Sequence, residues 1–502
     1  MSRWILKTAA VFTVFLFSWT CVQTHSVTVD EVKIAPTNGR AVIYETDGKM
    51  YELRNVRIEG DTLVGTSDYG KTASIPIKNV RSIEIRKTNF LVPILVAGAA
   101  AVVVIAVVNG SKKYPTGRTE SGSCPFVYSF DGTRYVLDGE PYGGAICRAM
   151  ERTEWGRLDH LAEIDGQYRL LLANELDESE HTDEISLIVV DHPAGAKIVP
   201  EVSGRIHALS HPVVPSAALD QRKGNILALV RSDGDRYWES EVEGRNPEKD
   251  EDLKDILVFE FPKPEGAKKA FFRIHAQTTL WGEGTARGFL ELSGDRLPEW
   301  YAEVDRHGPA YSDLFRWYMT GGMFTAILSV ETREGWKNRG LLYGGGPILA
   351  KEKVYPLDIA DVSGGRLRIK LEPAAGYWRL NALSVDYGED AAFEATEIHP
   401  CRAVDQDGRD VLDVLSATDG RFFEMPDPGR HAELTFFTPH RKPGLERTII
   451  LKASGYYEIH TNGAGGAGRP ALVSRVLREP RYAVRWALER SLGRPSAGPA
   501  RH

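Results

Sequence analysis

Between Phe90 and Val108 the chain runs for nineteen residues without a charged side chain. Coiled as a helix at 1.5 Å per residue, that stretch is about 28 Å long, enough to cross the hydrocarbon core of a bilayer. It predicts a transmembrane helix, on which Gly98, Ala101 and Val102 let a second helix pack closely; a buried core helix or hairpin is the alternative. A second apolar run lies at the amino terminus, where Arg3 and Lys7 precede an uncharged stretch from Ala9 to Trp19. That is the layout of a targeting segment over residues 1–21, and Cys21 directly after it is a candidate for lipidation. Ser18-Trp19-Thr20 fits a lipidation box badly, so an uncleaved anchor and ordinary cleavage nearby stay open. Basic residues flank Phe90–Val108 on both sides, Lys78, Arg81, Arg86 and Lys87 before it and Lys112, Lys113 and Arg118 after it, so charge gives no orientation.

The remainder has the composition of folded, water-facing protein: 42% hydrophobic and 26% charged residues over a length of 502. A net charge of −7 argues against a dedicated polyanion binder, which needs an excess of Lys and Arg. Four cysteines exclude a disulfide-framed scaffold, although a Cys124–Cys147 bridge is open to a body lying outside the cytoplasm.

Residues 27–89 carry short β-rich runs, such as Val42-Ile43-Tyr44 and Ile83-Glu84-Ile85, separated by turn pairs such as Asp47-Gly48 and Gly60-Asp61. Five or six short strands in so small a unit predict a closed barrel, because closure removes exposed edges. The segment DGKMYELRNVRIEGDTLVG…IPIKNVRSIEIRK resembles SH3-like and Sm-like barrels, many of which bind RNA or peptides. Ten basic and nine acidic residues between Val27 and Asn89 favour a structural or protein-contact role, and no nucleic-acid partner is expected.

Residues 121–462 read as a multi-part β-sandwich body, with turn signals every eight to fifteen residues between short β-favouring runs. Asp131-Gly132 sets a hairpin between FVYSF and TRYVLDG. Tyr168–Ala173 and Ile185–Asp191 are expected strands with an acidic connector between them, and Glu241–Asp255 is expected as a solvated charged loop. Leu297–Gly321 is the helical exception: Gly308-Pro309 splits it, and Trp300, Tyr301, Leu314, Trp317 and Tyr318 form its core face. Leu367–Leu371 and Trp378–Val385 alternate as strands, and this region is similar to galactose-binding-like jelly rolls, which carry a buried Trp on a late strand. The fold class is therefore mainly β: a small barrel, one transmembrane helix and a jelly-roll-like sandwich body with a minor helical insertion. Residues 463–502 open on a Gly-Ala hinge and read as a flexible basic tail. From Arg469 that tail holds eight Arg and two Glu. Val484, Leu488 and Leu492 recur at helical spacing, so the tail can form an amphipathic helix that frays, docks on the acidic body or lies on an anionic membrane.

No metalloprotease, nucleophile-elbow, phosphate-loop or paired-cysteine motif is present. The densest polar cluster, EPYGGAICRAMERTEWGRLDHL, supplies candidate binding residues Glu140, Tyr142, Arg152, Glu154, Asp159 and His160. Two carboxylates beside an Arg and a His can form an acid/base pair, and the same residues can equally pin a loop to a sheet. Asp405, Asp407 and Asp410 in DQDGRD partly resemble a calcium loop, which makes Ca2+ the one candidate cofactor; the distal bidentate Glu of such loops is missing.

CPFVYSFDG…EPYGGAI and the segment LLANELDESEHTDEISLIVVDHP resemble a set of uncharacterised bacterial envelope proteins. The likeness covers roughly residues 121–195, with echoes around GGGPILAKEKVYPLDIADV, and implies a membrane or lipoprotein setting without an activity. The sequence therefore points to a membrane-anchored protein of the bacterial cell envelope with a structural role or one of protein or glycan recognition. The alternative is a glycan-active hydrolase whose carboxylates come from separate strands; a cleft lined by exposed Trp favours it, and burial of Trp281, Trp300 and Trp378 counts against it.

Overall fold

The computed structural model describes residues 24–27, 37–45, 50–66, 72–86, 125–234, 236–319, 323–461 and 468–491. They fall into two compact units, divided at Asn109/Gly110. The targeting segment, Cys21, the Phe90–Val108 span and Cys124 lie outside the described residues. Among the described residues no helix is long and apolar enough to cross a membrane.

The first unit is a six-stranded antiparallel sheet. Its strands run in the order Thr24–Val27, Val80–Arg86, Thr37–Glu45, Met50–Glu59, Thr62–Thr66, Thr72–Pro76. Ile43, Leu53, Val56, Leu63 and Ile75 form its core. The expected closure into a barrel is not seen among the described residues, where the two end strands have no pairing to one another. Arg57, exposed on this sheet, is paired with Glu59.

The second unit nests one pair of sheets inside another. The outer pair is built from both ends of the body. One sheet contains Tyr135–Gly139, Phe126–Phe130, Gln167–Ala173, His431–Phe437 and Arg402–Asp405, and the other contains Arg152–Leu158, Glu446–Ile459, Glu178–His192 and Glu394–Ile398. They pack face to face, so that a Cβ on Gly139 of the first would meet Leu451 and Leu158 of the second. Between the two halves the chain inserts a second pair. A six-stranded sheet runs from Gly224–Asn225 through Leu257–Pro262 and Arg366–Pro373 to Gly335–Tyr343, and faces a four-stranded sheet of Trp238–Glu239, Trp378–Asp386, Lys269–Thr278 and Lys351–Asp358. Phe261 and Phe272 meet edge to face between these sheets, 6.3 Å apart. The insert begins and ends at one point, because Val213 and Val385 exchange backbone hydrogen bonds of 2.7 and 2.9 Å.

Several local expectations are met and three are corrected. The helical stretch splits where Gly308-Pro309 requires, into Leu297–Asp305 and Pro309–Met319, and all five residues of its core face are buried. The acidic connector before Ile185 is instead the first half of a fifteen-residue strand, Glu178–His192, paired along its length with Glu446–Ile459. The run Glu241–Asp255 is not simply solvated: Arg245 and Asp255 form a buried ion pair at 2.5 Å. Residues 468–491 of the expected flexible tail are two helices, Pro470–Arg478 and Pro480–Ser491. Val476, Leu477, Ala483 and Leu488 are buried in the main core, so the docked-helix alternative describes this segment.

Candidate functional site

Two edge strands from different sheets meet at the seam between the nested pairs. Arg152–Leu158 is the last strand of its outer sheet, and Lys351–Asp358 the last of its inner one. Side chains alternate along a strand, so Arg152 and Glu154 share one face, as do Lys351, Lys353 and Tyr355. These five side chains line one cavity of about 250 Å³, and a second of about 260 Å³ shares Glu154 and Lys351 with it.

The first cavity is apolar at its mouth and charged at its base. Phe315 is 48% exposed, and Tyr311 stacks on it with ring centroids 5.9 Å apart. Tyr318 stacks on Tyr343 deeper in, and Trp378 closes the wall at 1% exposure. At the base, Lys351 Nζ donates to Glu154 Oε1 at 2.8 Å, and Lys353 Nζ lies 3.8 Å from the same oxygen. Lys353 also donates to the carbonyl of Trp155, and Arg152 donates to the carbonyl of Gly143 and, at 3.2 Å, to the Tyr318 hydroxyl. Burial alone would raise the Glu154 pKa, but Lys351, Lys353 and Arg152 together hold it down at about 2. Burial pushes the Lys353 ammonium down to about 8, opposed by Glu154 and reinforced by Lys351 and Arg152. Glu154 Oε2 and Trp378 Nε1 are buried with no hydrogen-bond partner among the described residues.

Glu140 lines the second cavity and is 1% exposed. Its Oε2 accepts from the backbone N–H of Ile348 at 3.1 Å and of Leu349 at 2.8 Å, pinning the Gly344–Leu349 loop. A Cβ on Gly346 would stand 2.0 Å from the Glu140 carboxyl carbon, so this approach requires glycine. Burial pushes the Glu140 carboxyl up to about 8, against the lowering effect of Lys351 and the two N–H groups.

The structure thus brings five of the six sequence-chosen binding residues to one pair of cavities. Asp159 and His160 stand at the outer rim, where Asp138 accepts from both of their backbone N–H groups at 3.0 and 2.9 Å. Tyr142 does not line either cavity; it is buried behind them and bonds the Thr182 hydroxyl at 2.7 Å. Sequence reasoning missed Lys351, Lys353, Tyr343 and Phe315. The signal available for the first two was the alternation Lys-x-Lys-x-Tyr at 351–355.

Asp405, Asp407 and Asp410 do not converge on one point. Asp405 Oδ1 accepts from the backbone N–H of Asp407 and Arg409, both at 2.9 Å, Asp407 pairs with Arg409 and Arg430, and Asp410 caps the Leu412 N–H. That is the bonding of a polar turn. Among the described residues the group with metal-ligating geometry is Glu184, Glu397 and His399, where the Lys452 ammonium already bridges the two carboxylates at 3.0 and 2.8 Å. Cys147 is buried as a free thiol whose pKa burial pushes up to about 12, and Cys401 is a free, exposed thiol.

No protein-family model matches the chain, and neither does any curated protein. Among solved structures, a β-porphyranase of glycoside hydrolase family 86 from Bacteroides plebeius aligns over 47% of this chain and 39% of its own, at 9% identity and a TM-score of 0.13. A family 31 α-xylosidase from Xanthomonas citri aligns over 84% of this chain and 38% of its own, at 9% identity and a TM-score of 0.14. A structure of Sulfolobus turreted icosahedral virus aligns over 68% of this chain, at 7% identity and a TM-score of 0.13. The chain therefore spans less than half the length of the two glycosidases, and likenesses at these scores define neither fold nor activity.

Proposed function

We propose that the chain is a glycan-recognition protein of the bacterial cell envelope, held at the membrane by residues 1–21 and the Phe90–Val108 segment. The observation that carries this reading is the make-up of the seam cavity. The Tyr311–Phe315 stack, with Phe315 exposed and Tyr311 half-buried, offers an aromatic surface to the apolar face of a pyranose ring. Beneath it lie a buried acceptor, Glu154 Oε2, and a buried donor, Trp378 Nε1, each without a partner among the described residues. A sugar hydroxyl both donates and accepts, and so can satisfy such a pair.

The test is binding of the full chain to a panel of immobilised oligosaccharides, repeated with Phe315→Ala. Because Phe315 is half exposed, the substitution should leave the melting temperature unchanged while weakening binding about fivefold, in line with ~1 kcal/mol for an aromatic contact. Retention of no glycan, or undiminished binding by the variant, overturns the proposal.

A second reading, the glycan-active hydrolase, is favoured by one observation: Glu140 and Glu154 are driven to opposite protonation states, as an acid/base pair requires. Against it, Trp281, Trp300 and Trp378 are buried and Glu140 is committed to two backbone N–H groups. Release of reducing ends from any bound glycan, abolished by Glu140→Gln, would establish hydrolysis in place of recognition.

A further inference from the structure

We infer that the sugar taken by the seam cavity bears a negatively charged group, a carboxylate or a sulfate, seated against Lys351, Lys353 and Arg152. The inference rests on the glycan reading of this cavity and adds the charge of its ligand. Three cations stand on the two facing edge strands, and all three line the cavity. One ionised carboxylate, Glu154, answers them there, bonded to Lys351 at 2.8 Å with Lys353 at 3.8 Å. The other carboxyl on the wall, Glu151, hydrogen-bonds Asp183, whose own oxygens accept from the backbone N–H groups of Asp419 and Gly420. Arg152 and Lys353 otherwise face uncharged oxygens, those of Gly143, Tyr318 and Trp155.

Buried charge is costly unless it is paired, and a site with more cations than carboxylates stabilises an incoming anion more than a neutral ligand of the same shape. An ammonium carries three donors, of which Lys351 gives one to Glu154, so a second acceptor can join without breaking the existing pair. On the opposite face of the same strand the charges balance. Glu352 is met by Lys197, Arg157 and Arg273 together, and Asp159 and Asp233 also act on Arg157. The excess of cations is therefore a feature of the first cavity, in a chain whose net charge is −7. That contrast steers acidic sugars to this cavity in particular.

The experiment is calorimetric titration of the full chain with paired oligosaccharides: oligouronates beside their methyl esters, and sulfated oligogalactoses beside the unsulfated chains. The acidic member of a pair should bind at least tenfold more tightly than its neutral counterpart, and the gap should narrow as salt is raised. Which pair shows the gap identifies carboxylate or sulfate as the charged group. Lys353→Met should close most of the gap, with an unchanged far-ultraviolet dichroism spectrum reporting that the variant is folded. Equal affinity within every pair overturns the charge inference and leaves glycan recognition standing. Absence of binding across the whole set overturns both. The comparison within wild-type pairs decides the matter even if the variant does not fold.

Discussion

Glu140 and Glu154 border the same cavity, yet one is held neutral and the other ionised, and the difference is in their partners. Glu154 has three cations around it, whereas Glu140 has two backbone N–H groups and the more distant influence of Lys351. For Glu140 the folded pKa of about 8 lies above the ordinary 4.5, so between those values the native state holds a proton that the unfolded chain has lost. Its contribution to stability is therefore full below pH 4.5 and is lost as pH rises toward 8. Lys353 acts later and in the other sense: its folded pKa of about 8 is below the ordinary 10.5, so its penalty on the fold is relieved as pH climbs from 8 to 10.5. Glu140→Gln keeps an acceptor for Ile348 and Leu349 and removes the ionisation. Relative to the parent, the variant should show no stability change near pH 4 and a gain of roughly 4 kcal/mol at pH 8 by urea denaturation, since each pKa unit is worth ~1.4 kcal/mol. A difference that does not change with pH would show that Glu140 titrates normally. Half of this site was legible in the sequence. Glu140, Arg152 and Glu154 stood out because turn glycines and charges cluster within fifteen residues of chain. Lys351 and Lys353 did not, because their partner Glu154 is nearly two hundred residues away and nothing local marks them as buried.

At the scale of elements, the lessons come from segments in which polar residues are buried. Glu178 and Glu180 lie fully inside the long strand Glu178–His192, and their charge made that stretch resemble a loop. The alternation of buried and partly exposed positions was present, but carried by Glu and Thr in place of Val and Ile. Strands with ordinary apolar alternation, such as Arg366–Pro373, were legible directly. The carboxy-terminal helices show which force docks a segment rich in arginine. Arg478–Asp313, Arg481–Asp250 and Arg490–Glu291 tie it to acidic residues of the body, yet their arginines are exposed enough that each such pair is worth only ~0–1 kcal/mol. Burial of Leu477, Trp486 and Leu488 outweighs them, at ~1.5–3 kcal/mol for each large apolar side chain. Leu488→Ala should accordingly cost about 3 kcal/mol by denaturant titration, whereas Arg481→Ala should shift the midpoint little and 1 M salt should not release the helices. A larger loss from the arginine change than from the leucine change would reverse that ranking and return the segment to an electrostatic tail.

On the scale of the whole body, the nested arrangement constrains how residues 125–491 unfold. The inner pair of sheets leaves and rejoins the outer pair at the Val213–Val385 bridge, an arrangement in which an insert could fold as a separate domain. The packing opposes that separation. Trp300 and Leu314 from the helices of the insert, Tyr457 from the outer sheet and Leu477 from the carboxy-terminal helices belong to one continuous buried cluster. The seam adds Lys351–Glu154 and Arg157–Glu352, and Ala149 of the outer region donates its backbone N–H to Asp305 of the insert at 2.9 Å. Melting either pair of sheets alone would expose the partner's apolar surface and leave buried charges unpaired, so partial unfolding gains little conformational entropy for a large loss of burial. A fragment spanning residues 125–491 should therefore unfold in one transition, with coincident tryptophan fluorescence and far-ultraviolet dichroism and a calorimetric enthalpy equal to the van't Hoff value. Tryptophan is well placed to report this, because Trp155 and Trp486 lie in the outer strands and terminal helices while Trp238, Trp300 and Trp378 lie in the insert. Two resolved transitions would show that the Val213–Val385 bridge marks a true domain boundary, and that the seam cavity lies between bodies able to unfold independently.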